Sequence, residues 1–124
     1  MKNKKLMITG MVISMAVFAG ACGKKVNLSC GDSIKSQNLL EQKSFIAVCP
    51  ADCGTKGGSV WGTDKYTTDS SICKAAVHSG AIDNASGGNA KVEVIAGESS
   101  YTGSVKNGVS TSNWGSYQNS FTVK

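Results

Sequence analysis

Arginine is absent from the 124 residues, and histidine and proline occur once each, as His78 and Pro50. Without a guanidinium the chain has no planar fork for bidentate phosphate contacts, and its lysines are scattered, so no nucleic-acid partner is expected. A single histidine also starves metal chemistry. Cys49-x3-Cys53 lacks the two-residue spacing of a zinc-knuckle or thioredoxin-like pair, and no second Cys/His pair remains to complete a tetrahedral site. The eight acids are spread through polar segments, among them Asp52, Asp64, Asp69 and Glu98, and no two can be brought together from sequence alone. Gly57-Gly58 and Gly87-Gly88 lead into no helix opening with Lys-Ser/Thr, so they read as turns and not as phosphate cradles. These absences lead to an expectation of no catalytic residues, no metal and no cofactor.

What is present begins with a leader. Met1 to Lys5 hold three lysines and no acid, and Leu6 to Ala21 are almost wholly apolar, the two opening regions of an export signal. The apolar run is short of the roughly 20 residues that a spanning helix needs. It ends in Ala19-Gly20-Ala21-Cys22, which resembles the lipobox at which bacterial signal peptidase II cuts, and the same bond also suits ordinary Ala-x-Ala cleavage. Cysteine parity favours lipidation, because a diacylglyceryl group on Cys22 leaves an even set of four, Cys30, Cys49, Cys53 and Cys73. The expected division is a signal peptide over 1–21, a lipidated tether over 22–29 and a domain over 30–124. Gly23-Lys24 carries no aspartate after Cys22, which points to the outer membrane of a bacterial cell envelope. Three lysines leave with the signal, so ten face the eight acids and the net charge falls from +5 to +2. The basicity of the whole chain therefore says little about partners.

A domain of about 100 residues is near the size at which a hydrophobic core alone is marginal. Four cysteines in an exported chain are most simply two disulfides, each contributing roughly 2–4 kcal/mol, with three connectivities open. Phe45-Ile46-Ala47-Val48 is a compact apolar run stopped by Pro50, hence a buried strand. Residues 33–43 are ambiguous between helix and strand, and 59–63 are strand-like. The convincing helix lies between Asp69 or Ser70, as N-cap, and Gly80, which can end it in the left-handed conformation. Ile72, Cys73, Ala76 and Val77 fall on one face, widened by Ala75. Val92, Val94 and Ala96 then alternate with Lys91, Glu93 and Ile95, the period of a strand. Short strands follow around Tyr101–Val105, Val109 and Ser120–Val123, and Asn107-Gly108 suits a tight turn.

Cys73 and His78 invite the thought of a catalytic pair. Five residues on a helix set them some 140° apart, and a cysteine in a disulfide offers no thiolate. His78 is expected to hold the helix C-terminus, where its ring can bond a carbonyl or a neighbouring strand and a positive charge is favourable. Trp61 is expected in the core.

Tyr66-x3-Ser70-x2-Cys73-x-Ala75-Ala76-Val77-His78-x-Gly80-Ala81-Ile82 resembles the signature of the LCCL domain family. Cys49-Pro50-Ala51-Asp52-Cys53, Val60-Trp61-Gly62-Thr63, Ser100-Tyr101-Thr102-Gly103-Ser104 and Trp114-Gly115 agree with it. The resemblance covers about Lys43 to Lys124, with Cys30 at the place of the family's first cysteine. It implies an α+β fold with one central helix packed among short strands, and disulfides Cys30–Cys49 and Cys53–Cys73. It also implies an extracellular, non-catalytic recognition module. Trp114, Tyr117 and Tyr101 lie in Gly/Ser/Asn-rich segments and are the candidate contacts for a polysaccharide or lipopolysaccharide. The alternative is an architectural envelope protein assembling with a partner protein.

Overall fold

The computed structural model describes residues 23–124, so the leader and the candidate lipidation site Cys22 lie outside the described residues. In chain order the elements are β1 (Lys25–Asn27), a 3-10 turn (Leu40–Gln42), β2 (Ser44–Cys49), β3 (Gly62–Thr63), β4 (Lys65–Thr67) and α1 (Ile72–Ser79). They continue with β5 (Gly88–Ala96), β6 (Val105–Lys106), β7 (Val109–Ser110) and β8 (Asn119–Val123). Six strands form one sheet in the order β1-β2-β5-β8-β4-β3, and β6 pairs with β7 apart from it. The architecture is α+β.

Period-2 alternation builds the sheet. Phe45, Ala47 and Cys49 of β2 are buried while Ser44, Ile46 and Val48 are half-buried on the other face. Opposite them, Val92 pairs with Phe45 and with Val123, and Val94 pairs with Phe121, which pairs in turn with Tyr66. These residues form the floor on which α1 rests. Removing a ring such as Phe45 or Phe121 from water stabilises the fold by roughly 1.5–3 kcal/mol each. Pro50, which has no N–H to donate, follows the last residue of β2.

Helix α1 has eight residues, too few to persist alone, and packing holds it. Ile72, Cys73, Ala75, Ala76, Val77 and His78 are all buried, so it is covered on nearly every side. The small Ala75 and Ala76 allow its neighbours to come close. Its N-cap is Ser71, whose Oγ accepts from the Lys74 N–H at 3.3 Å. Of the two expected caps, Ser70 is occupied elsewhere, its Oγ accepting from the Trp61 N–H and pairing with Thr67 Oγ1, which holds β4 and the 59–61 segment together, and Asp69 Oδ1 is buried without a hydrogen-bond partner. Gly80 closes the helix at φ 86°, its N–H directed to the carbonyls of Ala76 and Val77.

Two expectations are corrected here. Residues 23–29 are no free tether: β1 pairs in parallel with β2, Lys25 opposite Ile46, and Leu28 is buried in the core. The apolar Val26 and Leu28 carry the chain into the sheet almost from its first described residue. The four cysteines form two disulfides, but they join Cys30 to Cys53 and Cys49 to Cys73. Strand parity explains the second. Cys49 follows Phe45 and Ala47 on the face covered by α1, where Cys73 is buried in the first helical turn. Cys30 lies against the loop at Gly57, which places it beside Cys53.

Residues 91–124 form one long hairpin. The register of β5 with β8 continues through Gly97 N–H to Gln118 O, Tyr117 N–H to Glu98 O, the reciprocal Tyr101 and Trp114 pair and Thr111 N–H to Ser104 O. It ends in β6 and β7 at the Asn107-Gly108 turn. In its middle the two backbones approach closely. A Cβ on Gly97 would strike the Tyr117 and Gln118 backbone, and one on Gly103 the backbone of Thr111 and Ser112.

Candidate functional site

The region singled out by Cys73 and His78 is a buried structural hub. His78 is completely buried, with Nδ1 2.9 Å from Tyr66 Oη and Nε2 3.1 Å from Ser104 Oγ and 3.3 Å from Ser104 O. A carbonyl oxygen can only accept, so the ring proton is on Nε2, and Tyr66 donates its hydroxyl hydrogen to Nδ1. This tautomer cannot take a proton from Ser104, whose hydroxyl lies 2.6 Å from Thr63 Oγ1. The Ser–His contact therefore links the hairpin arm to the helix and lacks the polarity of a nucleophile and its base.

Burial holds the His78 imidazole below its ordinary pKa, partly offset by its bond to the Ser104 main chain, with Lys106 lowering it and Asp64 raising it. The favourable helix-terminus charge expected for His78 is thus overruled by desolvation. Tyr66 is pushed up to about 12, first by burial and against a hydrogen bond from the Asp64 main chain. The helix C-terminus is capped instead by Asn107, whose Nδ2 donates to the His78 carbonyl at 2.9 Å. Among the described residues no three His, Cys, Asp or Glu side chains are grouped to hold a metal ion.

The candidate aromatics separate. Tyr101 is 5% exposed, with its hydroxyl 2.7 Å from Ser120 Oγ and accepting from the Glu98 N–H, so it is a core residue and not a surface contact. Trp114, directly across the hairpin from it, is 50% exposed. Trp61, expected in the core, is half-buried and packs edge-on against Trp114, the ring centroids 5.9 Å apart. The backbone beneath this pair is tied down. Gly62 N–H donates to Ser112 O, Ser112 N–H to Val60 O, and Thr111 Oγ1 to Gly62 O at 2.7 Å. Tyr117 is half-buried in a different place, lining an open groove of about 540 Å³ with Lys35, Leu40, Thr68 and Gln118.

The LCCL domain family model matches residues 28–121. The chain belongs to the LCCL domain family. Vitrin from Homo sapiens is 43% identical to it over 90 residues, which is 73% of this chain and 13% of vitrin. Cochlin from Homo sapiens is 40% identical over 118 residues, 92% of this chain and 21% of cochlin. Clotting factor C from Tachypleus tridentatus is 41% identical over 73 residues, 59% of this chain and 7% of that protein. The LCCL chain described here thus spans about a fifth or less of the length of these relatives.

Within this LCCL domain the quoted family residues lie where the chain folds together. Tyr66 bonds His78, Ser70 fixes the strand before the helix, and Ala75, Ala76 and Gly80 shape the helix itself. Sequence reasoning missed Ser104, Thr63 and Asn107, because their partners lie 26 to 41 residues away. It missed the pairing of Trp61 with Trp114 for the same reason, 53 residues of chain separating the two rings.

Proposed function

We propose that this LCCL chain is a lipid-anchored, non-catalytic binding module of a bacterial cell envelope that recognises polysaccharide or lipopolysaccharide. The observation that carries the reading is Trp114, a half-exposed indole paired with Trp61 on a backbone locked by reciprocal hydrogen bonds to Tyr101. Sugar rings present flat C–H faces to aromatic side chains, and a ring that is already immobilised loses little entropy on binding. The Tyr117 groove adds hydroxyl and amide groups nearby in sequence, Ser116, Gln118 and Asn119, of the kind that bond sugar hydroxyls. The residues that look catalytic are engaged in holding the fold, which favours recognition over turnover.

Titration of the oxidised chain with lipopolysaccharide, peptidoglycan fragments and a glycan panel, followed by tryptophan fluorescence, is expected to give saturable binding. Trp114→Ala weakens that binding tenfold or more with the fold intact. Silence across the panel from a folded chain overturns the glycan reading in favour of a protein partner. The anchor has its own measurement: mass spectrometry of membrane-extracted protein shows an acylated N-terminal peptide beginning at Cys22, and an unmodified Cys22 overturns it.

A further inference from the structure

The face of the sheet turned away from α1 has an unusual charge row. Lys25 of β1 lies opposite Ile46 of β2, Ile46 opposite Lys91 of β5, and Lys91 exchanges both backbone hydrogen bonds with Lys124, the residue after β8. Residues directly opposite in a ladder share a face, so Lys25, Ile46, Lys91 and Lys124 form one line across four strands. All three lysines are exposed and Ile46 is half-buried. In the next row Val48, half-buried, lies between Asn27 and Asn89. Helix α1 packs on the opposite face.

Like charges directly opposite one another destabilise a sheet unless a counter-charge relieves them. Glu93 is the acid on this face, in the row beyond Lys91 between Ser44 and Thr122, and it makes no ion pair with any of the three lysines. The two ion pairs among the described residues, Lys65–Glu98 and Lys106–Asp64, lie elsewhere. The row therefore has charge beside half-buried apolar side chains but no acid of its own to neutralise it.

Its position in the chain identifies the missing counter-charge. Three residue steps separate Cys22 from Lys25, a reach of no more than about 10 Å. Because β1 is part of the sheet and no free tether intervenes, an acyl chain on Cys22 would hold this face at the bilayer surface.

We propose that the Lys25–Lys91–Lys124 face of the sheet lies against phosphate-bearing lipid headgroups of the membrane that holds the anchor, with Ile46 and Val48 toward the interface. This deepens the lipid-anchor reading and rests on it. The lysines supply the attraction to anionic lipid, and the docked sheet turns α1 and the hairpin arm with its Asn107-Gly108 tip away from the bilayer.

The test uses the chain extracted from membranes with its N-terminus intact, reconstituted in vesicles of phosphatidylcholine alone or with about 30% phosphatidylglycerol. Each lysine is followed by acetylation with a membrane-impermeant reagent and peptide mass spectrometry. Lys25, Lys91 and Lys124 are expected to react about fivefold more slowly on the anionic vesicles, while Lys56 and Lys74 keep the same rate on both. In K91Q/K124Q the difference at Lys25 shrinks, although the chain still floats with neutral vesicles. Equal reactivity of the three lysines on both vesicles overturns the docked face. Flotation with the neutral vesicles reports the anchor separately: a chain that floats there with equally reactive lysines keeps its anchor and loses the face, and one that does not float loses the anchor itself.

Discussion

The helix α1 and the hairpin arm at 97–118 are bonded to each other, yet they use their residues in opposite ways. In α1 six of eight side chains are buried, and the polar His78 has both ring nitrogens partnered. The arm is held by backbone pairs, Tyr101 with Trp114 and Ser104 with Thr111, and by the inward side chains of Tyr101, Ser104, Asn107 and Thr111, yet Trp114 is half-exposed and Val105 72% exposed. A helix buried on nearly every side has no side chain left to offer a ligand. A hairpin buried on one side keeps its outward side chains free, and the proposed contact at Trp114 rests on that difference although the chemically suggestive residues lie on the helix.

The contrast is most severely tested at the Cys49–Cys73 bridge, which ties β2 to α1. Cys49→Ala/Cys73→Ala is expected to lose roughly 2–5 kcal/mol, read as the denaturant midpoint, because a small domain has little core to compensate. Non-reducing peptide mapping of the unaltered chain should recover Cys30 linked to Cys53 and Cys49 linked to Cys73. Recovery of Cys53 with Cys73 would break the account of how the helix is fastened.

The His78 hub should give the next largest effect. His78→Ala removes a buried ring and strands the Tyr66 hydroxyl, at a cost of about 3 kcal/mol. The hub also sets a pH dependence. His78 is lowered in the fold, so the unfolded chain binds more protons as the medium is acidified, and the stability due to neutral burial is lost as pH falls below about 6.5. Tyr66 is raised to about 12, so its neutral form is favoured by folding, and that stability is lost as pH rises from about 10 toward 12. Unfolding midpoints measured across pH should fall on both sides, and the dependence attributable to His78 should vanish in His78→Ala.

The smallest effect on stability belongs to the arm. Trp114→Ala should cost under about 1 kcal/mol, since half the ring is already in water, whereas Tyr101→Ala directly across the hairpin should cost about 3 kcal/mol. Similar losses from the two would remove the distinction between an exposed contact and a core ring.

The helix with its Gly80 stop, the buried run of β2, the alternation of β5 and the Asn107-Gly108 turn were legible because each depends on residues a few positions apart. Periodicity and capping are local. The cap itself is Ser71 where the sequence offered Asp69 or Ser70, and Ser70 is engaged by Trp61 and Thr67, contacts that local propensity does not encode. The same limit hid the burial of Tyr101 and the partial exposure of Trp61, which follow from which strand crosses above each ring.

What the sequence by itself determined is the central helix, the strands around 45–48 and 91–96, the Asn107-Gly108 turn and the family, because the Tyr66 to Ile82 signature and the short-range patterns reside in contiguous residues. Tertiary structure alone decided which cysteines meet, that 25–27 joins the sheet, that Trp61 pairs with Trp114, and that Lys25, Lys91 and Lys124 fall into one row. The physical reason is common to all four. Each depends on strand register and crossing, which bring together residues tens of positions apart and are fixed only when the shared core closes.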